Sequence, residues 1–148
     1  MSDDEGTGKK GFVVQGARPD VKIPDDAGTI SNRAKEVDSL IARQQGKDAV
    51  LIAVKDPPIG SKNQEAKDTN FKTVIRALNA VKEAEIRSVV DQVHKTQGEA
   101  GTDILCKYVY RGLNEAESCG TLLKYHAAIV DVAGPGPIVR AMTDRKTV

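Results

Sequence analysis

Residues 61–93 carry apolar side chains at helical spacing, and that stretch limits what the chain can fold into. Phe71, Val74, Ile75, Leu78 and Val81 fall at i, i+3, i+4, i+7 and i+10. Ile86, Val89, Val90 and Val93 repeat the spacing, while Lys72, Arg76, Asn79 and Lys82 turn to the other side. A period of 3.6 puts one set on one helix face. Such a stripe is unstable alone in water and demands cover from other elements. Projected on one helix, the two halves of the stripe nearly coincide. The polar interval Lys82-Glu83-Ala84-Glu85 holds no Gly, Pro, Asn or Asp to mark a break. The pattern therefore allows one long helix or two.

The flanking segments are helical as well. Val37, Leu40 and Ile41 share a face with Gln44, and Gly46 reads as a stop. Residues 48–55 are apolar nearly all round; alanine content and Asp48 at a capping position favour helix over buried strand. Pro57-Pro58 ends that element, since neither can donate a backbone hydrogen bond. Ser61 and Gln64 have capping-box spacing, so the central helix is expected to start there. Thr96 or Thr102 starts the next helix, around Gly98 and Gly101, with Ile104, Leu105, Tyr108, Val109 and Leu113 on its face. Residues 114–118 read as a turn, residues 122–133 as a helix, and Gly134-Pro135-Gly136-Pro137 as a break before a last helix at 138–142. Only five aromatics are present and no Trp, so the core must be aliphatic. The reading is an all-α body of about seven helices in antiparallel pairs over residues 31–148.

Residues 1–30 are different. They hold five glycines, two prolines and a net charge of −2, with Phe12-Val13-Val14 as the one apolar cluster. Too little apolar surface is available to order such a segment, so it reads as a tail, with the cluster either incidental or a docking peptide. Gly8-Lys9 is followed by Lys10 and no strand precedes it, which departs from a phosphate-binding loop. The chain has no apolar run behind a basic start and no stretch of about 20 apolar residues. With two cysteines, Cys106 and Cys119, a cytoplasmic protein with reduced thiols is the expectation.

Catalytic and metal chemistry find little footing. Cys106 lies beside Leu105 in an apolar helix, where thiols are inert packing groups. Cys119 and His126 are seven apart, two helical turns, too far to share a proton. Neither C-x-x-C nor H-x-x-x-H occurs, so no metal site is expected. His126 reads as a packed or interface histidine. Arg140, Arg145 and Lys146 form a basic cluster, but the body carries only +3 and lacks interleaved aromatics, so nucleic acid is not an expected partner. A helical protein-interaction module remains, and residues 48–54 are more apolar than a peripheral helix needs.

Several blocks resemble one family. They are Lys55-Asp56-Pro57-Pro58-Ile59, then Lys62 with Ala66-Lys67-Asp68, then Ile104-Leu105-Cys106-Lys107-Tyr108-Val109-Tyr110-Arg111-Gly112, and the closing Ile138-Val139-Arg140-Ala141-Met142-Thr143-Asp144-Arg145-Lys146-Thr147-Val148. In order and spacing they are similar to subunit 5 of the actin-related protein 2/3 complex, across residues 36–148. The resemblance implies an α-α superhelix with no enzymatic activity and no cofactor, a scaffold in a hetero-oligomer that nucleates branched actin filaments. It implies a body packed on the propeller subunit and on subunit 4, and a tail that tethers actin-related protein 2. It favours a break between Val81 and Glu85. On it rest the expected partner-binding residues Phe12, Val13, Val14, Pro57, Pro58, Tyr108, Arg140, Arg145 and Lys146. The tail departs from the family's pattern in lacking its tyrosine, and the connection around Gly98 and Gly101 looks like an insertion. The alternative is a free-standing helical adaptor outside the complex.

Overall fold

A computed structural model describes residues 27–148. Among them lie six α-helices and no strand: α1 (Ala27–Ala42), α2 (Gly46–Ala53), α3 (Gln64–Ala80), α4 (Ile86–Asn114), α5 (Cys119–Ala133) and α6 (Gly136–Thr143), with a 3-10 turn at Glu83–Glu85. The chain is all-α. Helices α1, α2 and α3 pack on one another, and α4 packs on α5 and α6. Contacts thus stay within runs of three consecutive helices, as short connections between amphipathic helices favour, with α6 returning onto α4. The two groups join through one continuous core, which includes Val37, Val50, Leu78, Val89, Leu105, Leu122 and Ile129.

The central stripe breaks into two helices. Val81 and Lys82 are extended, at ψ 134° and 143°, and residues 83–85 form the 3-10 turn. Both halves of the stripe are buried: Phe71, Val74, Ile75, Leu78 and Val81 on α3, and Ile86, Val89, Val90 and Val93 on α4. The break lets α3 and α4 change direction while presenting the same apolar face to one core.

Boundaries moved for identifiable reasons. The described part of α1 already includes Ala27 to Ile30, ahead of the expected start at Ser31, and Ile30 is only 2% exposed. Gln44, at φ 60°, takes the left-handed position expected of Gly46. Gly46 instead opens α2, where an added Cβ would stand 3.2 Å from Ala80 O and 3.3 Å from Val81 Cγ2. Ser61 and Gln64 form no capping box. Asn63 caps α3, its Oδ1 accepting from the Glu65 and Ala66 amides, while Ser61 Oγ accepts from Asn63 N at 3.0 Å. Asn63 serves because its side chain reaches its own following amides.

Helix α4 joins two helical segments across a kink at Gly98, where the sequence places a break. Gly98 bends it, with φ 70° and ψ −160°, a conformation only glycine adopts without strain. Thr102 is not an N-cap. Its hydroxyl donates to Gly98 O at 3.3 Å and stands 3.1 Å from His94 Nδ1, bridging the bend. Gln97 Nε2 donates to Leu51 O at 2.9 Å, tying the bend to the end of α2. The Gly98–Gly101 connection is therefore a sharp kink between two helical segments. Pro137 sits in the first turn of α6, where its missing N–H costs nothing.

Candidate interaction surface

Tyr108 lies in the middle of α4 and is fully buried. Asn70 Nδ2 donates to its hydroxyl at 2.5 Å, and Arg33 Nη1 donates to Asn70 Oδ1 at 3.2 Å. Arg33 Nη2 reaches Asp56 O at 3.0 Å. This network ties α1, α3, α4 and the turn before Pro57 together. Tyr108 is thus a core residue and not a partner-binding one, since reaching it would require α3 and α4 to part. Asn70 carries no such signal in the sequence: it stands next to Phe71 as one more polar residue of a helix.

Pro58 is buried and Pro57 half-buried. Ile59 N donates to Pro57 O at 2.8 Å and Ser61 N to Pro58 O at 3.3 Å, so the two prolines shape the turn into α3. Pro57 also borders a shallow apolar groove with Leu51, Ile52, Ala100 and Ile104. That groove is where the surplus apolar character of α2 goes.

Arg140, Arg145 and Lys146 are all exposed but do not act as one cluster. Arg140 makes a two-pronged pair with Asp103, at 2.6 and 2.9 Å, which neutralises it. Arg145 makes no ion pair among the described residues. Lys146 contributes backbone: its amide donates to Asp144 Oδ1 and its carbonyl accepts from Lys107 Nζ. Phe12, Val13 and Val14 lie outside the described residues.

The last residues form a strap held against α3 and α4, a feature the sequence pattern does not announce. Val148 is 5% exposed. Arg111 is the hub: Nη1 donates to Val148 O at 3.0 Å, Nε pairs with Glu115 at 2.8 Å, and Nη2 pairs with Asp68. Its guanidinium also lies 4.3 Å from the Phe71 ring centre. Lys107 Nζ pairs with Asp144 at 2.6 Å. Hydrogen bonds from Gln64 and Arg111 hold the Asp68 carboxyl below its ordinary value, and those from Lys107 and the Lys146 amide do the same for Asp144.

Among the described residues, four large apolar side chains stand open to solvent: Leu123 (57%) and Val130 (39%) on α5, and Val139 (57%) and Met142 (69%) on α6. Ala127, also exposed, lies between Leu123 and Val130, so the outer face of α5 carries an apolar stripe. A contiguous stripe of that kind marks a surface suited to a protein partner. Beside it, Tyr110 OH and His126 Nε2 are 2.9 Å apart with rings edge to face at 5.5 Å, which places His126 as a half-buried packed histidine.

The cysteines show no nucleophilic arrangement. Cys106 is buried, and loss of hydration pushes its thiol up to about 11. Among the described residues, no three His, Cys, Asp or Glu side chains converge as a metal site. No described helix is long and apolar enough to cross a membrane.

These groups predict how stability follows pH. Burial raises Cys106, raises Tyr108 to about 12, and raises Tyr125 further. Each folded value exceeds the unfolded one, so the unfolded chain releases these protons first. Their contribution is complete below about pH 8.5, the ordinary thiol value, and is lost as pH rises through the folded values. Asp68 and Asp144 work in the opposite sense. Their folded values are depressed, so their contribution is complete above about pH 4 and is lost as pH falls through the folded values. Urea midpoints should be flat from about pH 5 to 8 and fall on both sides. Tyr108→Phe should flatten the alkaline limb; an unchanged limb would show that this tyrosine does not drive it.

Comparison with known proteins fits this interaction-type architecture. The sequence pattern of the ARP2/3 complex 16 kDa subunit (p16-Arc) matches residues 7–148. Actin-related protein 2/3 complex subunit 5 of Dictyostelium discoideum is 35% identical over 119 residues, covering 80% of this chain and 83% of the relative. Subunit 5-C of Xenopus laevis is 39% identical over 115 residues, covering 76% and 74%. The human subunit 5-like protein is 33% identical over 115 residues, covering 76% and 72%. With the match running through the Arg111 strap and every helix described above, this chain belongs to the family of the ARP2/3 complex 16 kDa subunit.

Proposed function

We propose that the chain is a non-catalytic scaffold subunit of the actin-related protein 2/3 complex, at the actin cytoskeleton in the cytoplasm. Its helical body packs on the propeller subunit and on subunit 4, and residues before α1 tether actin-related protein 2. The observation that carries this reading is the family match from residue 7 to residue 148, which takes in Phe12, Val13 and Val14 as well as the body. The open apolar side chains of α5 and α6 support it, since a body built to assemble keeps apolar surface for its neighbours. Pro57, Arg140, Arg145 and Lys146 are accessible and are candidates for contacts of the body.

The experiment is affinity capture of the full chain from its own cells, beside a chain lacking residues 1–26. The cut falls at 26 because deeper truncation would open the turn around Ile30. The full chain should recover the propeller subunit, subunit 4 and actin-related protein 2. The truncated chain should recover the first two equally and actin-related protein 2 at least tenfold less. Equal recovery of all three sinks the tether. Recovery of no complex subunit by the full chain favours the free-standing adaptor.

A further inference from the structure

Lys67 is a buried lysine, only 9% exposed, in the first turn of α3. No carboxylate among the described residues pairs with it; its ammonium donates to the Thr147 hydroxyl at 3.3 Å. A helix N-terminus favours negative charge, so a cation there is doubly in need of an anion. The acidic groups nearby are already engaged: Asp68 and Glu115 by Arg111, Asp144 by Lys107, and the terminal carboxylate on Val148 by Arg111. Thr147 itself is exposed, in a strap without regular structure, directly after Arg145 and Lys146. Two basic residues just before an exposed hydroxyl are what the acidic cleft of a basophilic protein kinase binds.

We infer that Thr147 is a phosphorylation site and Lys67 the built-in receptor for its phosphate. The step moves the γ-phosphoryl group of a nucleoside triphosphate onto Thr147 Oγ1. The Oγ1–P bond forms, the bond to the nucleoside diphosphate breaks, and the hydroxyl proton is released. The kinase acts while the strap is lifted, since Val148 is buried when it is closed. On reclosing, the ammonium of Lys67 exchanges a neutral hydroxyl acceptor for an ion pair with a group of charge about −1.5 to −2. Arg111 already holds an oxygen of the Val148 terminal carboxylate and Lys107 the carbonyl of Lys146, so the phosphate enters a segment whose backbone path is set. Phosphorylation therefore fastens the strap. This inference does not depend on assembly into the complex.

The test treats the full chain with a purified basophilic kinase and ATP. A second preparation carries phosphothreonine at 147 through ligation of a synthetic C-terminal peptide. Mass spectrometry should place the phosphate on Thr147, and Arg145→Ala with Lys146→Ala should slow incorporation at least tenfold. Carboxypeptidase should release Val148 about tenfold more slowly from either phosphorylated preparation than from the unmodified chain. Lys67→Met should abolish that difference, and Lys67→Gln provides a second neutral variant should Met disturb folding. Incorporation only at other hydroxyls overturns the site. Release at the same or a faster rate after phosphorylation overturns the receptor, as does slowing that survives in both Lys67 variants.

Discussion

Gly112→Val should destabilise the fold by about 3 kcal/mol, and Gly112→Ala by about 1–3 kcal/mol. Gly112 on α4 faces α5 and α3 with no room for a side chain. A Cβ there would overlap Leu122 Cδ1 and stand 3.2 Å from Ile75 Cδ1. Leu122 is fully buried and Ile75 is 8% exposed, so neither can swing into open space. Leu122→Ala alone should cost about 2–5 kcal/mol through the cavity it leaves. Combined with Gly112→Ala, it should cost clearly less than the two separate losses, because the new methyl enters the vacated space. Urea denaturation of the four chains measures the coupling, expected at about 0.5–3 kcal/mol. Strict additivity would mean that the two residues do not meet in solution.

Arg111→Met should lower stability by about 1–3 kcal/mol and free the strap. The substitution keeps the apolar stem and removes the guanidinium, and with it the bonds to Glu115, Asp68 and Val148 O and the contact over Phe71. The larger penalty of a broken buried ion pair does not apply. The Asp68 and Glu115 side chains are 45% and 42% exposed and stay hydrated when abandoned. Carboxypeptidase should release Val148 at least tenfold faster from Arg111→Met. Arg111→Lys should restore only part of the loss, because an ammonium cannot serve two carboxylates and a carbonyl in the geometry of a planar fork. Unchanged release in Arg111→Met would show that burial of Val148 alone holds the strap.

Much of the fold is legible along the chain, and particular residues show why. Apolar residues at spacing 3 and 4 place α3, α4 and α5, because burying a stripe dominates where a helix lies. Pro57-Pro58 and Gly134 punctuate it as glycine and proline chemistry requires. The ends are less legible. Asn63 caps α3 in place of Ser61, and Gln44 takes the left-handed turn in place of Gly46. Residues of similar capping ability compete there within a few tenths of a kcal/mol to about 1 kcal/mol. Tertiary packing decides between them.

The surface shows the same limit. Tyr108 and Arg111 stand three apart in one block, and their sequence surroundings do not separate them. One became a sealed core residue, the other a hub for the strap. The Arg140 cluster also looked like one basic patch until Asp103, 37 positions away, took up Arg140. Long-range pairs of this kind depend on which helix faces which, and no local pattern encodes that.

The sequence by itself determined that the chain is all-α, where the apolar faces lie, and, through its blocks, which family it belongs to. The central stretch was left open between one helix and two, since periodicity survives across residues 82–85 either way. Only the tertiary structure decided that question. A single straight helix could bury both halves of the stripe only against one long partner, whereas the break at Val81 and Lys82 folds both onto a shared core. The strap was likewise decided in three dimensions. Val148 is one apolar residue at the end of a basic tetrapeptide, and only the tertiary structure sets Arg111 of α4 on Val148 and Lys67 of α3 on Thr147.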